Sequence, residues 1–358
     1  MNITIVSKYY SSAASFFIHN DDWQLPYSTI LEKLINSHFR FYSSLYFYMK
    51  ELGHEVQIIY PNIEQLQLKW NKEYNNNASV GNMQILNAQI KSFQTTIVLV
   101  NSDFEYYDPL HAICSKKIPL IGWVSCPLPP PQIFKKLTAI ITLNVPYVAY
   151  FKSINIPVHL VTAGFDPRLQ LLYEKQKKEI EFSFIGGIGK EHNKRMEHLK
   201  YLIPKTPVQL WGYGYEGSTF FKKIAKKILY FNSFNKRYRG QAWGIDMFKI
   251  LGNSKITFNI HGDIVTQPTV NMRLYEATGM GALLLTEYDT KLKEVFEPEV
   301  EVVTYKNKEE AIEKYLHYST YETERKAIAA AGQKKTLETY NYHTISKKII
   351  SIFEEYCK

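Results

Sequence analysis

The stretch "NMRLYEATG" (271–279) sets an asparagine, an arginine and a glutamate on helical spacing just ahead of a leucine run. Arg273 and Glu276 stand three residues apart and so share a helix face, and Asn271 falls where an N-cap would sit. One reading is a capped helix with an internal ion pair, worth only about 0.2–0.5 kcal/mol. The other is chemical: the carboxylate accepts both hydroxyls of a ribose while the guanidinium meets a phosphate. The spacing alone leaves both open. His261 and Asp263, which close the preceding apolar run "KITFNIH" (255–261) and its turn, add a polar cluster and tilt the balance toward a ligand site.

A second constellation is "FIGGIGKEHNKR" (184–195), which passes from strand through glycines into a helix. Gly186, Gly187 and Gly189 let the backbone approach a ligand, and the helix N-terminus offers free N–H groups and a positive dipole end. Lys190 or Arg195 would add charge for a phosphate. The dinucleotide fingerprint fails, because its third glycine would fall on His192, and a Walker A loop fails at Phe184. A phosphate loop remains, with a plain strand-to-helix turn as the alternative.

Acids also follow strands in the first half. "SFFIHNDDW" (15–23) carries His19, Asp21 and Asp22 on an expected loop, and "NSDFEYYD" (101–108) carries Asp103 and Glu105. Such residues suit a general base or sugar-hydroxyl contacts, the alternative being solvated loop charges or helix caps. "CPLPPP" (126–131) reads as a rigid connector. "DFEYYD" makes no strong metal site, and Cys114, Cys126 and Cys357 show no paired spacing for zinc or disulfides, so a reducing, cytoplasmic setting is expected.

These residues need elements to hold them. The first half alternates apolar runs at 2–7, 54–60, 95–100, 119–125 and 139–143 with helical segments, among them one long helix expected over 27–53. The rhythm breaks in a polar stretch at 166–180 and restarts. Strands are expected at 182–187, 207–214, 255–261, 282–287 and 301–305, helices at 191–203, 244–254 and 272–279, and a largely helical remainder from Glu309. Short apolar strands separated by helices indicate parallel sheets covered on both faces. The expected architecture is two doubly wound, Rossmann-like α/β domains with a cleft between them. They are bounded as 1–166 and 167–340, with a helix at 341–358 returning to the first. Ligands of such sheets bind outside the carboxyl ends of the strands.

The bulk numbers agree. A chain of 358 residues is long for one core, and 45% hydrophobic with 22% charged residues is a globular composition. No signal peptide and no run of about 20 apolar residues is evident. The net charge of +9 concentrates in 219–239, where Lys222, Lys223, Lys226 and Lys227 interleave with Phe220, Phe221, Ile224, Ile228 and Leu229. That is a basic amphipathic helix suited to an anionic membrane surface, or to a solvated face packed on its own domain. The scattered aromatics form no recognisable nucleic-acid module, so no nucleic-acid partner is expected.

At this point a resemblance enters. "NMRLYEATGMGALLLTEYDTKLKEVFEPEVEVVTY" (271–305) resembles the C-terminal half of CgeB-like glycosyltransferases. So do "FSFIGGIGKEHNKRMEHL" (182–199), "WGIDMFKILGNSKITFNIHGD" (243–263), "VTAGFDP" (161–167), "LQLKWNKE" (66–73) and "WVSCPLPP" (123–130), so the likeness spans most of the chain. It implies a GT-B fold, with a nucleotide-diphosphate sugar held by the second domain and a glycan or lipid-linked glycan acceptor by the first. By the same resemblance Glu276 binds the donor ribose, and Arg273 with the Gly187–Gly189 loop binds the diphosphate. Gly186, Lys190, His192, Arg195, Tyr213 and Asn271 join that donor site. No metal or other cofactor is implied.

Retaining enzymes of glycosyltransferase family 4 carry two glutamates eight positions apart. Glu276 matches the second, but Pro268 stands at the first, so His261 or Asp263 would supply the sugar-side contact. Retention is the expectation. For inversion the base would come from His19, Asp21, Asp22, Asp103 or Glu105. The expected activity is a metal-independent glycosyltransferase of surface-polysaccharide or glycoconjugate assembly. A non-catalytic nucleotide-sugar-binding protein and a sugar-nucleotide 2-epimerase are the alternatives.

Overall fold

In the first part of the chain, six short strands line up in parallel: β1 (Asn2–Val6), β2 (Glu55–Ile59), β3 (Ile97–Val100), β4 (Leu120–Trp123), β5 (Ala139–Thr142) and β6 (Val158–Leu160). Their order is β2-β1-β3-β4-β5-β6. The computed structural model describes residues 1–75, 81–115, 117–173, 177–189, 192–214, 231–261 and 271–357. It divides into two compact units, Met1–Thr162 with Tyr342–Lys358, and Ala163–Asn341. β3, β4 and β5 are buried at every position, as strands covered on both faces must be. The core of this unit gathers Val98, Val100, Leu110, Phe134, Ile140 and Phe151. The helix Tyr342–Tyr356 belongs to it, turning Ile345, Ile349, Ile352 and Phe353 inward at one-turn intervals.

The single helix expected over 27–53 is two, Tyr27–Asn36 and Tyr42–Glu51. Ser37 explains the break. Its Oγ donates to Leu34 O (2.6 Å) and accepts from Phe39 N (3.2 Å), competing with the helical bonds, and His38 then turns to φ +49°. The segment expected as a loop at 15–23 contains the end of the helix Ser11–Phe17 and a 3-10 turn, Asn20–Gln24. The helices Glu64–Trp70 and Asn82–Ser92 lie between the runs at 54–60 and 95–100, where helical segments were expected without bounds, and the strand β6 was not foreseen. In Asn82–Ser92 the inward positions include Gln89 beside Ile85, Leu86 and Ile90, which blurs the hydrophobic period.

The second unit carries β7 (Ile180–Ile185), β8 (Gln209–Trp211), β9 (Ser254–Asn259), β10 (Leu283–Glu287) and β11 (Val303–Tyr305). These are parallel and ordered β11-β10-β9-β7-β8. Phe182, Phe184, Phe258, Leu283, Leu285, Tyr305 and Tyr315 pack its core. A helix, Pro167–Tyr173, occupies part of the polar stretch at 166–180. Lys178 then reaches inward, donating to Gly252 O (2.8 Å) and Met280 O (3.4 Å). It thus bonds the carboxyl ends of the helices Gly244–Asn253 and Met272–Gly279, and burial lowers its pKa to about 8. Among the described residues no helix is long and apolar enough to cross a membrane.

Candidate functional site

In the second sheet the chain runs outward from β7 to β8, then returns to lay β9 on the other side of β7. That reversal is the switch point where an open α/β sheet leaves a crevice at its carboxyl edge. The glycine loop opens from β7 at this point. Gly186 N donates to Trp211 O (3.0 Å) and Ile188 N to Tyr213 O (2.9 Å), so β7 and β8 stay paired beyond their ends. The approach demands glycine. A Cβ at Gly212 would lie 1.8 Å from Gly186 O, and one at Gly187 would lie 2.7 Å from His192 Nε2 and 3.0 Å from Tyr213 Cζ. His192 is buried, its N–H on Gly189 O (3.2 Å), and the helix Asn193–Leu202 starts from it. Arg195 ties two strands together, one guanidinium N–H on Gly187 O (2.8 Å) and another on Ile260 O (3.3 Å).

The helix Met272–Gly279 brings the opening trio to the same edge. Asn271 does occupy the N-cap position, at φ −91° and ψ 163°, but its side chain makes no capping bond. Its Nδ2 donates instead to Asn259 Oδ1 (3.2 Å), and Asn259 Nδ2 donates to Thr286 Oγ1 (2.9 Å). Asn271 Oδ1 is buried without a hydrogen-bond partner among the described residues. Arg273 Nη1 lies 2.9 Å from Glu276 Oε2, and Arg273 Nη2 donates to Ile185 O (3.3 Å) at the end of β7. The i, i+3 ion pair therefore forms, with side chains only 14% and 15% exposed. Burial pushes the Glu276 carboxyl above its ordinary value, against the pull of Arg273. An ion pair this far from water recovers little of its desolvation cost, so stability is a poor reason for it.

A third group lies at the ends of β9 and β10. Glu287 Oε2 accepts from His261 N (3.3 Å) and lies 3.6 Å from His261 Nδ1, while its other oxygen pairs with Lys194 at the start of the helix Asn193–Leu202. Burial raises the Glu287 carboxyl, but hydrogen bonds from His261 and Lys194 and the Lys194 charge outweigh it and hold the pKa near about 2. Glu287 and Lys194 were not singled out in the sequence. The available signal was a glutamate ending an otherwise apolar strand, "LLLTE". At the opposite end Tyr213, 38% exposed, stacks on Trp243 at 5.3 Å and 15°. Trp243 was missed as well. Lys190, Asp263, Pro268 and the lysines at 222, 223, 226 and 227 lie outside the described residues.

The first unit distributes its candidates differently. Asp103 is buried and accepts from Lys8 N (2.7 Å) and Asn101 Nδ2 (3.3 Å), and Glu105 pairs with the Lys8 ammonium. His19 N donates to Asp22 Oδ2 (2.9 Å), and Lys33 bonds Asp22 and holds its carboxyl below the usual range. Asp21 and His19 are exposed on that turn. Asp103 and Glu105 are thus brought together at Lys8, and His19 and Asp22 in a separate turn. Among the described residues no group of three or more His, Cys, Asp or Glu could hold a metal ion.

Residues 192–351 match the family model described as glycosyl transferase-like. Solved structures similar to the whole chain include sucrose-phosphate synthase from Thermosynechococcus elongatus, at TM-score 0.62 and 8% identity over 98% of both chains. A glycosyltransferase from Rickettsia africae matches at TM-score 0.62 and 13% identity over 99% of both. Anabaena HepE, whose structure is a complex with UDP-glucose, matches at TM-score 0.61 and 10% identity over 99% of both. No curated protein matches. The likeness shows the fold: two Rossmann-like parallel-sheet units of the GT-B class to which these glycosyltransferases belong.

Proposed function

We propose that this chain is a CgeB-like glycosyltransferase that moves a sugar, with retention, from a nucleotide-diphosphate sugar to a glycan or glycan-bearing acceptor. The observation that carries this reading is the convergence at the β7–β9 switch point. A tightly packed glycine loop, the largely buried Arg273–Glu276 pair and a stacked aromatic pair share one carboxyl edge. Glu276 accepts the two ribose hydroxyls, and Arg273 turns from Glu276 to the diphosphate, where its fork of donors suits phosphate oxygens. Loop N–H groups and this guanidinium stabilise charge on the leaving diphosphate, so no bound metal is needed. The first unit takes the acceptor, in surface-polysaccharide or glycoconjugate assembly. The basic stretch 219–239 brings the enzyme to the cytoplasmic face of a membrane.

A thermal-shift panel of nucleoside diphosphates identifies the base, since a ligand at about 100 times its Kd raises stability by roughly 2.7 kcal/mol. In calorimetric titration Glu276→Ala should bind that diphosphate about tenfold or more weakly while remaining folded. Unchanged affinity would remove the ribose assignment. Isomerised donor, or binding without transfer or hydrolysis, would replace the transferase reading with an epimerase or a binding protein.

A further inference from the structure

The break between the helices Tyr27–Asn36 and Tyr42–Glu51 carries a cation to the carboxyl edge of the first sheet. Residues at four strand ends hold this turn. Past β1, Tyr9 OH hydrogen-bonds Ser37 Oγ (2.7 Å), and the Tyr9 ring lies 4.7 Å from that of Phe39. Past β2, Tyr60 stands edge-on to Tyr9 at 5.0 Å, and Asn62 bonds both the N–H and the carbonyl of Tyr9. Tyr42 OH donates to Asn101 just past β3, and Phe41 lies 4.7 Å from Trp123 at the end of β4. Arg40 is half-buried on this turn. Its guanidinium lies over the Tyr10 ring, 4.6 Å from the centroid, and 5.8 Å from that of Phe39.

Other cations of this unit already have acids. Lys8, Lys33 and Lys69 pair with Glu105, Asp22 and Glu73. Among the described residues the Arg40 guanidinium makes neither an ion pair nor a hydrogen bond. Asp103 is the acid that shares the surroundings of Tyr42 with Arg40, and its Oδ2 already accepts from Lys8 N and Asn101 Nδ2. The strand ends are thus fastened, and the turn beside them holds the uncommitted charge. An aromatic ring covers one face of a guanidinium and leaves its in-plane N–H donors available. Withdrawing those donors partly from water without a partner is costly, and a planar fork fits the paired oxygens of a carboxylate or a phosphate. We propose that Arg40 binds an acidic group of the acceptor, carboxylate or phosphate, so that the first unit selects an anionic sugar over a neutral one. This rests on the reading that the first unit takes the acceptor.

Glucose, glucuronate and glucose 6-phosphate share a ring and differ at one carbon, so together they separate the two sources of charge. They are titrated into the full chain with the diphosphate site filled by the nucleoside diphosphate it prefers. One anion should bind about tenfold or more tightly than glucose, and Arg40→Gln should bring it to the level of glucose. Glucuronate ahead identifies a carboxylate, glucose 6-phosphate ahead a phosphate. Nucleotide affinity should stay within about twofold of the parent. A merely structural Arg40 would move anion and glucose together. Equal binding of all three sugars by the parent, binding of none, or an anion preference that survives Arg40→Gln overturns the proposal and leaves the donor reading standing. Should the Gln variant fail to fold, Arg40→Lys keeps the charge but removes the fork. It should weaken the anion several-fold with glucose unchanged, and an unchanged anion affinity would overturn the proposal. An anion that binds through Arg40 yet neither receives sugar nor speeds diphosphate release from the donor overturns the acceptor reading instead. A chain that binds no nucleoside diphosphate overturns the donor reading, and the Arg40 comparison then runs without nucleotide.

Discussion

At the switch point of the first sheet, between β1 and β3, the Lys8 backbone N–H donates to the buried Asp103 carboxylate, and Tyr42 OH donates to Asn101 Oδ1 (2.7 Å). At that of the second, between β7 and β9, two guanidinium groups bond strand-end carbonyls, and one also pairs with a carboxylate. The two sheets share parallel topology and reverse their strand order in the same way. They differ in what closes the edge. The first is fastened by an acid that has accepted backbone and amide donors, and the second is lined with cations and glycine. A parallel sheet supplies the crevice, and the side chains at its strand ends decide which ligand charge it suits.

The sharpest contrast is steric. A Cβ at Gly212 in the second unit would meet the backbone oxygen of Gly186 at 1.8 Å, whereas one at Gly122 in the first would meet Leu137 Cδ1 at 2.5 Å. Backbone held by a neighbouring strand cannot step aside, while a leucine terminus can rotate. Gly212→Ala should therefore cost about 3 kcal/mol or more in stability, and Gly122→Ala about 1 kcal/mol, by urea denaturation. Equal costs would show that the β7–β8 approach is looser than its geometry.

How much of this was legible depends on which interactions are local. The helix 272–279, with Arg273 and Glu276 three apart, and the strand after it follow from period and spacing. So does the glycine loop after β7. Trp243 became meaningful only once it stacked on Tyr213, 30 positions away in sequence, and Lys194 only when its helix faced the end of β10. Asn271 shows the limit from the other side. Its position was right, but a partner 12 residues away outcompeted the local cap. The break at Ser37 was missed because a hydroxyl competing for backbone bonds leaves no mark on hydrophobic period.

Charge gives the next test. Arg273→Met should weaken nucleoside diphosphate binding by about 10–100-fold, because a charge-assisted contact is lost and Glu276 is left uncompensated. Asp103→Asn should cost about 1–2 kcal/mol of stability and leave diphosphate affinity within about twofold, its amide oxygen still accepting from Lys8 N. Measured side by side in titration, the reverse ranking would place the nucleotide on the first unit.

Acid probes the smallest difference. The Glu287 carboxyl is held near about 2 rather than its ordinary 4.5, so the folded form favours its charged state. A depressed folded value means the contribution is fully present above about pH 4.5 and is lost as pH falls toward 2. Allowing for screening at a partly open edge, the loss should be about 1–2 kcal/mol. Glu276 runs the other way. Burial raises it, so the cost of its charge is relieved as pH falls through that raised value toward 4.5. Two carboxylates on one edge thus respond to acid with opposite signs, and substitution separates them. Denaturant midpoints of the parent and Glu287→Gln, compared from pH 7 to 3, should differ most above 4.5 and converge below it. A constant gap across that range would mean that Glu287 draws no stability from its ionised bonds to His261 and Lys194.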